Sequence, residues 1–171
     1  MNSKLSLPEA LDPLVFRQGM AHLAAAVNVI TTISARGRVG FTASAVCSVT
    51  DQPATLLVCI NQNASVFADF QHSDVLCVNS LAHDQHALAN LFASKTPQVE
   101  RFDSHTWGKL TTGAPVLTDA LVAFDCWIRE RHVVGSHMLL LCEVQAVQNP
   151  KDSNALVYFK RQYCEPIAMP H

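Results

Sequence analysis

The stretch Gly40–Asn61, GFTASAVCSVTDQPATLLVCIN, decides the fold. Two runs rich in β-branched and apolar residues flank the turn former Asp51-Gln52-Pro53, which is the pattern of a β-hairpin. Side chains alternate across a strand. Phe41, Ala43, Ala45, Cys47 and Val49 therefore share an apolar face, and Thr42, Ser44, Val46, Ser48 and Thr50 share the other. That second face carries short hydroxyls and no charge, whereas an ordinary wet strand face carries Lys, Glu or Arg.

Outward from this hairpin the chain continues in the same idiom. Asp12 followed by Pro13 opens a helix predicted over roughly 13–26, with Phe16, Met20, Leu23 and Val27 on one face. Strands are expected at 27–34, 41–50, 55–61, 74–81, 120–134, 138–148 and 155–163, the fifth and sixth forming a long hairpin. Short helices are expected to open at Ser65 and Asp84, and 94–119 reads as loop. About seven strands with short connections and few helices predict one mainly β domain spanning 1–171, with its core at about 13–163, built as an antiparallel barrel.

The chain has 171 residues, of which 49% are hydrophobic and only 15% charged, with a net charge of −2. No apolar run approaches the ~20 residues of a spanning helix, so the scarcity of charge points to self-association. The N-terminus lacks the basic start and apolar core of a signal peptide, which places the protein in the cytoplasm. The six cysteines, Cys47, Cys59, Cys77, Cys126, Cys142 and Cys164, stand singly and read as buried apolar thiols on strands. The weak negative charge argues against nucleic acid.

Gly-x-Gly-x-x-Gly, the phosphate-binding Gly-x-x-x-x-Gly-Lys and the Gly-x-Ser-x-Gly elbow are all missing from the sequence. His83 and His86 could share a helix face, but without a third ligand at a recognisable spacing they read as surface residues, and no metal is expected. Asn61, Asn63 and Ser65 precede a predicted helix start. That arrangement serves either as a plain Ser cap or as an anion site using free N–H groups.

In order along the chain, FRQGMAHLAAAVNVITT, the Gly40–Asn61 segment, LCVNSL, LFASKTP, ERF, ALVAFDC and VGSH resemble the short-chain NAD(P)H:flavin reductases, the small components of two-component flavin monooxygenases. The resemblance runs from about Phe16 to Tyr163. Many members have Thr-Ala-Asn-Ser where this chain has Thr42-Ala43-Ser44-Ala45, and Gly-Asp-His or Gly-Thr-His where it has Gly135-Ser136-His137.

The resemblance implies a split β-barrel of Greek-key arrangement, assembled as a homodimer. It implies flavin contacts from Asn28, from Thr42, Ala43, Ser44, Ala45, Val46, Cys47 and Ser48 along the platform strand, and from Cys59, Asn61, Phe92 and Lys95. Ser65 would lie near the flavin phosphate. Arg101, Phe102 and His137 would orient the nicotinamide, with His137 in the catalytic role. The implied reaction moves a hydride from NADH, or NADPH, to FMN, with FAD and riboflavin as alternative acceptors, and supplies reduced flavin to a separate monooxygenase. Two other readings are a flavin-storage protein without turnover and an oxidase of the pyridoxamine-phosphate type.

Overall fold

In the computed structural model, residues 10–149 and 151–169 are described. Residues 1–9, on which most of the signal-peptide reading rests, lie outside them. Helix α1 (Pro13–Met20) starts as predicted, with the Asp12 carboxylate accepting from Leu14 N–H at 2.8 Å. It stops short of the predicted residue 26. The Lys160 N–H bonds the Ala21 carbonyl at 2.7 Å, and strand β1 (Ala25–Ala26) pairs with a C-terminal strand, so sheet pairing takes over. No residue of α1 is buried.

The remaining elements follow in chain order. They are β2 (Asn28–Ser34), β3 (Gly37–Ala43), β4 (Val46–Asp51), β5 (Ala54–Asn61), α2 (Phe67–His72), β6 (Val75–Ser80), a 3-10 turn at His83–Gln85, and α3 (His86–Ala93). Next come α4 (Gln98–Arg101), β7 (Trp107–Lys109), β8 (Pro115–Leu117), β9 (Val122–Val134), β10 (His137–Gln148), β11 (Val157–Phe159) and β12 (Gln162–Cys164). Seven strands form one antiparallel sheet in the order β3-β2-β6-β9-β10-β5-β4. Mainly β architecture with few, short helices is what the sequence predicts.

Three differences from that reading matter. The predicted strand 41–50 is two strands: β3 pairs with β2 and β4 with β5, and the chain breaks between them at Ser44–Ala45. Those strands are opposite edges of the sheet, yet only two residues join them, so at this point the edges lie within ~11 Å of each other and the sheet curls. Strict alternation fails beyond the break, since Cys47, Ser48, Val49 and Thr50 are all exposed on the edge strand β4. Segment 155–163 is a hairpin rather than one strand, turning at Lys160 and Arg161 with φ of +49° and +63°. No Gly or Asn marks that turn, so the sequence hides it. Region 94–119, expected as loop, contains α4 and the β7–β8 ribbon. Buried Asn79 ties the ribbon to the sheet, accepting from Leu117 N–H at 2.8 Å and donating to the Val29 carbonyl at 3.0 Å.

Strand β2 over 28–32 and strand β6 are buried on both faces, and the polar side chains they bury, such as Thr31 and Asn79, are hydrogen-bonded there. One core holds Ile30, Val58, Ile60, Phe70, Leu76 and Leu140; the other, under α3, holds Val29, Leu81, Leu88, Phe92, Phe102 and Leu117. Of the six cysteines only Cys77, Cys126 and Cys142 are buried. Cys47 and Cys164 are exposed and Cys59 is half-buried, because their strands leave one face uncovered.

Helix α3 sits tight on β3 at Gly40. A Cβ there would lie 2.7 Å from Phe92 Cε1 and 3.0 Å from the Ile30 carbonyl oxygen. Phe92 is itself buried and cannot swing clear. Gly40→Ala is expected to cost about 2 kcal/mol by overpacking, read as a Tm lowered by about 4–8 °C. An unchanged Tm would show that α3 yields without cost.

Candidate functional site

The break between β3 and β4 opens a cleft of about 490 Å³, within the size range of small-molecule sites. Phe41, Thr42, Ala43, Ser44 and Ala45 form its floor, with Cys59 and Asn61 from β5, Ala64, Ser65 and Val66 from the following turn, Phe92, Ala93 and Ser94 from the end of α3, and Arg101 and His137. No carboxylate and no lysine line it. A wall of small residues, hydroxyls, one amide and aromatic edges fits a planar, uncharged, hydrogen-bonding ring such as isoalloxazine. A second recess of about 480 Å³ adjoins it through Ser65, Val66, Ser94 and Arg101. Arg36, which is paired with Asp69, and Lys95 line this recess, and Arg101 lines both spaces, so the cationic side chains gather at and past one end of the cleft.

Several residues singled out in the sequence occupy this cleft, although they come from β3, β5, α3, α4 and β10. Their roles differ from one another. The Thr42 hydroxyl donates to the Ala89 carbonyl of α3 at 2.7 Å, so it holds the platform rather than facing the cleft. Ser44 is exposed at the break; its carbonyl accepts from Val46 N–H at 3.0 Å, and its hydroxyl has no partner among the described residues. Asn28 is 4% exposed and lines no cleft; its amide donates to the Ala26 and Ala43 carbonyls at 3.1 and 3.3 Å, behind the platform. Val46, Cys47 and Ser48 lie beyond the break, outside the lining. Burial raises the Cys59 thiol above its ordinary pKa, and nearby Cys47 adds to this, so Cys59 is a neutral wall rather than a nucleophile.

Phe102 is enclosed in the core, edge-on to Phe92 at 5.1 Å and tilted on Trp107 at 4.8 Å. It reaches the site only through Phe92. Ser65 does not cap α2: Val66 occupies the cap position without a side-chain bond. Ser65 instead stands exposed where cleft and recess meet. Lys95 lines the recess alone. His137 opens β10 beside Asn61, its Cα partner, after a tight turn at Gly135 with φ of +56°. Its Nδ1 lies 3.0 Å from Ser136 Oγ, so the Ser136 hydroxyl sets the direction of the exposed ring.

Sequence reasoning missed Phe41, Ala64, Val66, Ala93 and Ser94. Ala93 and Ser94 stood within the LFASKTP block and Phe41 on the apolar face of the Gly40–Asn61 segment, whereas Ala64 and Val66 flank Ser65 with no signal of their own. His83 and His86 are exposed, and among the described residues no three potential ligands are arranged to hold a metal.

The site is thus a cleft at the break between the two edge strands of an antiparallel sheet, lined by small residues, hydroxyls and Arg101, with no carboxylate in its lining. Residues 20–166 match the family described as flavin reductase like domain. The chain belongs to that family. A relative from Acinetobacter baylyi, "FMN reductase (NADH) RutF", is 58% identical over 156 residues, 91% of this chain and 83% of that one. A flavin reductase structure from Haemophilus somnus superposes with a TM-score of 0.89 at 48% identity, covering 91% of this chain and all of the other. BorF, the flavin reductase component of a bacterial two-component tryptophan halogenase, superposes with a TM-score of 0.83 at 27% identity, covering 90% and 98%.

Proposed function

We propose that this chain is an NADH-dependent FMN reductase that releases reduced flavin to a separate flavin-dependent monooxygenase. The observation that carries the reading is the carboxylate-free cleft of small and hydroxyl side chains at the β3–β4 break, with the cationic side chains gathered at one end. Bound together, FMN and NADH would themselves supply the redox chemistry, a hydride passing from C4 of the nicotinamide to N5 of the flavin. The chain's residues align the two rings. The backbone and small side chains at Ala43, Ser44 and Ala45 let a ring lie flat on the strand, with hydroxyl and N–H groups at its polar edge. Phe41 and Phe92 supply apolar edges. Ser65 and Lys95 take the phosphate, with Arg36 behind them. His137 and its Ser136 partner stand at the rim, where the His137 ring orients the nicotinamide without accepting a proton.

Holding two rings in register can contribute several kcal/mol to the rate without any acid–base group. Because reduced flavin has to leave, FMN is a substrate, bound with moderate affinity. The decisive experiment follows NADH oxidation with and without added FMN. Consumption that requires both supports the reductase; FMN binding with no NADH oxidation would make the protein a flavin store, and oxidation of pyridoxamine phosphate would make it that type of oxidase.

The curled sheet is read as a split Greek-key barrel in a single domain. Among the described residues no helix is long and apolar enough to cross a membrane, consistent with work in the cytoplasm. Leu14, Phe16, Met20 and Leu23 lie 46–61% exposed along α1 and the turn after it, an apolar stripe that a second copy would cover. Sedimentation should show a dimer at micromolar concentration; a monomer alone would overturn that assembly.

A further inference from the structure

Arg101 is 4% exposed, and among the described residues no carboxylate pairs with it. Its guanidinium donates instead to four backbone carbonyls. Nε bonds Thr96 at 2.8 Å, one terminal nitrogen bonds Phe92 at 3.0 Å and Gly40 at 3.2 Å, and the other bonds Ser94 at 2.8 Å. Phe92 and Ser94 are the end of α3, where unpaired carbonyls and the negative end of the helix dipole collect, so a buried cation is stabilised there. Gly40 belongs to β3, and its N–H and carbonyl are also held by the Gln98 amide, at 2.9 and 3.1 Å. Arg101 thus ties the 92–96 turn to the edge of the platform strand. That turn carries Ser94, on the wall between cleft and recess, and Lys95, in the recess.

We infer that Arg101 is a positioning residue for the phosphate end of the flavin, acting through Lys95 rather than contacting the nicotinamide. The inference rests on the reading above that the phosphate lies by Ser65 and Lys95. With four of its five N–H groups engaged by carbonyls, Arg101 serves the site by fixing where the turn stands. A lysine could not do the same, because three donors on one nitrogen cannot reach carbonyls set around a planar fork.

The test measures FMN and riboflavin affinities by fluorescence titration in Arg101→Met, Arg101→Lys, Lys95→Ala and the double variant Lys95→Ala/Arg101→Met. Riboflavin lacks the phosphate and serves as the internal reference. Arg101→Met and Arg101→Lys are each expected to weaken FMN about tenfold, with riboflavin within about threefold. The Arg101→Met effect should largely vanish in the Lys95→Ala background, as expected of residues acting in series. Should the methionine variant fail to fold, the lysine variant, alone and with Lys95→Ala, carries the comparison.

Equal losses for FMN and riboflavin would make Arg101 a general scaffold and overturn the inference. So would an undiminished loss in the Lys95→Ala background, full rescue by lysine, unchanged FMN affinity, or a raised KM for NADH with flavin affinity unmoved. If Lys95→Ala alone leaves the ratio of FMN to riboflavin affinity unchanged, the phosphate placement itself is wrong and the inference falls with it. That result is separate from a failure of Arg101, which would leave the Lys95 effect intact.

Discussion

Ser44→Leu is expected to abolish measurable FMN binding, weakening it on the order of a hundredfold or more, while the fold survives. Ser44 stands at the two-residue break where the edge strands meet, and its hydroxyl has no partner among the described residues. Removing it therefore leaves no buried polar group unsatisfied, and an exposed substitution of this kind changes stability by about 0.5 kcal/mol or less. The added bulk lies on the cleft floor. A planar ring must sit in van der Waals contact with that floor, and a branched side chain lifts it away from the backbone polar groups at the break. The ring then loses dispersion contacts and hydrogen bonds together, which is why the expected loss is so large. Fluorescence titration with FMN, set beside Tm and sedimentation, checks the prediction. Unchanged affinity would place the ring on another face of the sheet.

His137→Ala is the second large effect, and it falls on turnover. His137 projects from the first position of β10, held in register by Asn61 on one side and Val134 on the other. Rigid strands behind it and a two-residue turn before it fix where the ring points. If that ring orients nicotinamide, the alanine variant loses about tenfold or more in kcat/KM for NADH, equivalent to about 1.4 kcal/mol of transition-state binding. FMN affinity should stay within about threefold. Loss of FMN affinity ahead of turnover would make His137 a flavin ligand, and unchanged steady-state kinetics would make it an idle turn residue.

Much of the site was legible locally. An uncharged hydroxyl-bearing strand is visible in the Gly40–Asn61 segment because strand periodicity is a property of neighbouring residues. The hairpin of β9 and β10, and His137 at its turn, follow from two long β-rich runs around Gly135. What local reading could not supply shares one cause. Thr42 lines the cleft, but its hydroxyl is taken by Ala89, 47 residues away in sequence. Phe102 was assigned to the nicotinamide, but two aromatic neighbours enclose it. Each depends on where α3 packs, and no spacing within a strand reports that.

By itself the sequence determined the β class, the family and the chemical character of the cleft: small, hydroxyl-rich, free of acids. These follow from side-chain types and short-range alternation, which the chain carries before it folds. The tertiary structure alone decided that the platform breaks at Ser44–Ala45, so that opposite sheet edges meet there. It alone decided that Arg101 is buried against the carbonyls of α3 and β3, the farthest of them 61 residues away. The physical reason is that a backbone carbonyl is the same group at every residue. Which ones a buried guanidinium must satisfy is set only when helix and sheet are packed together.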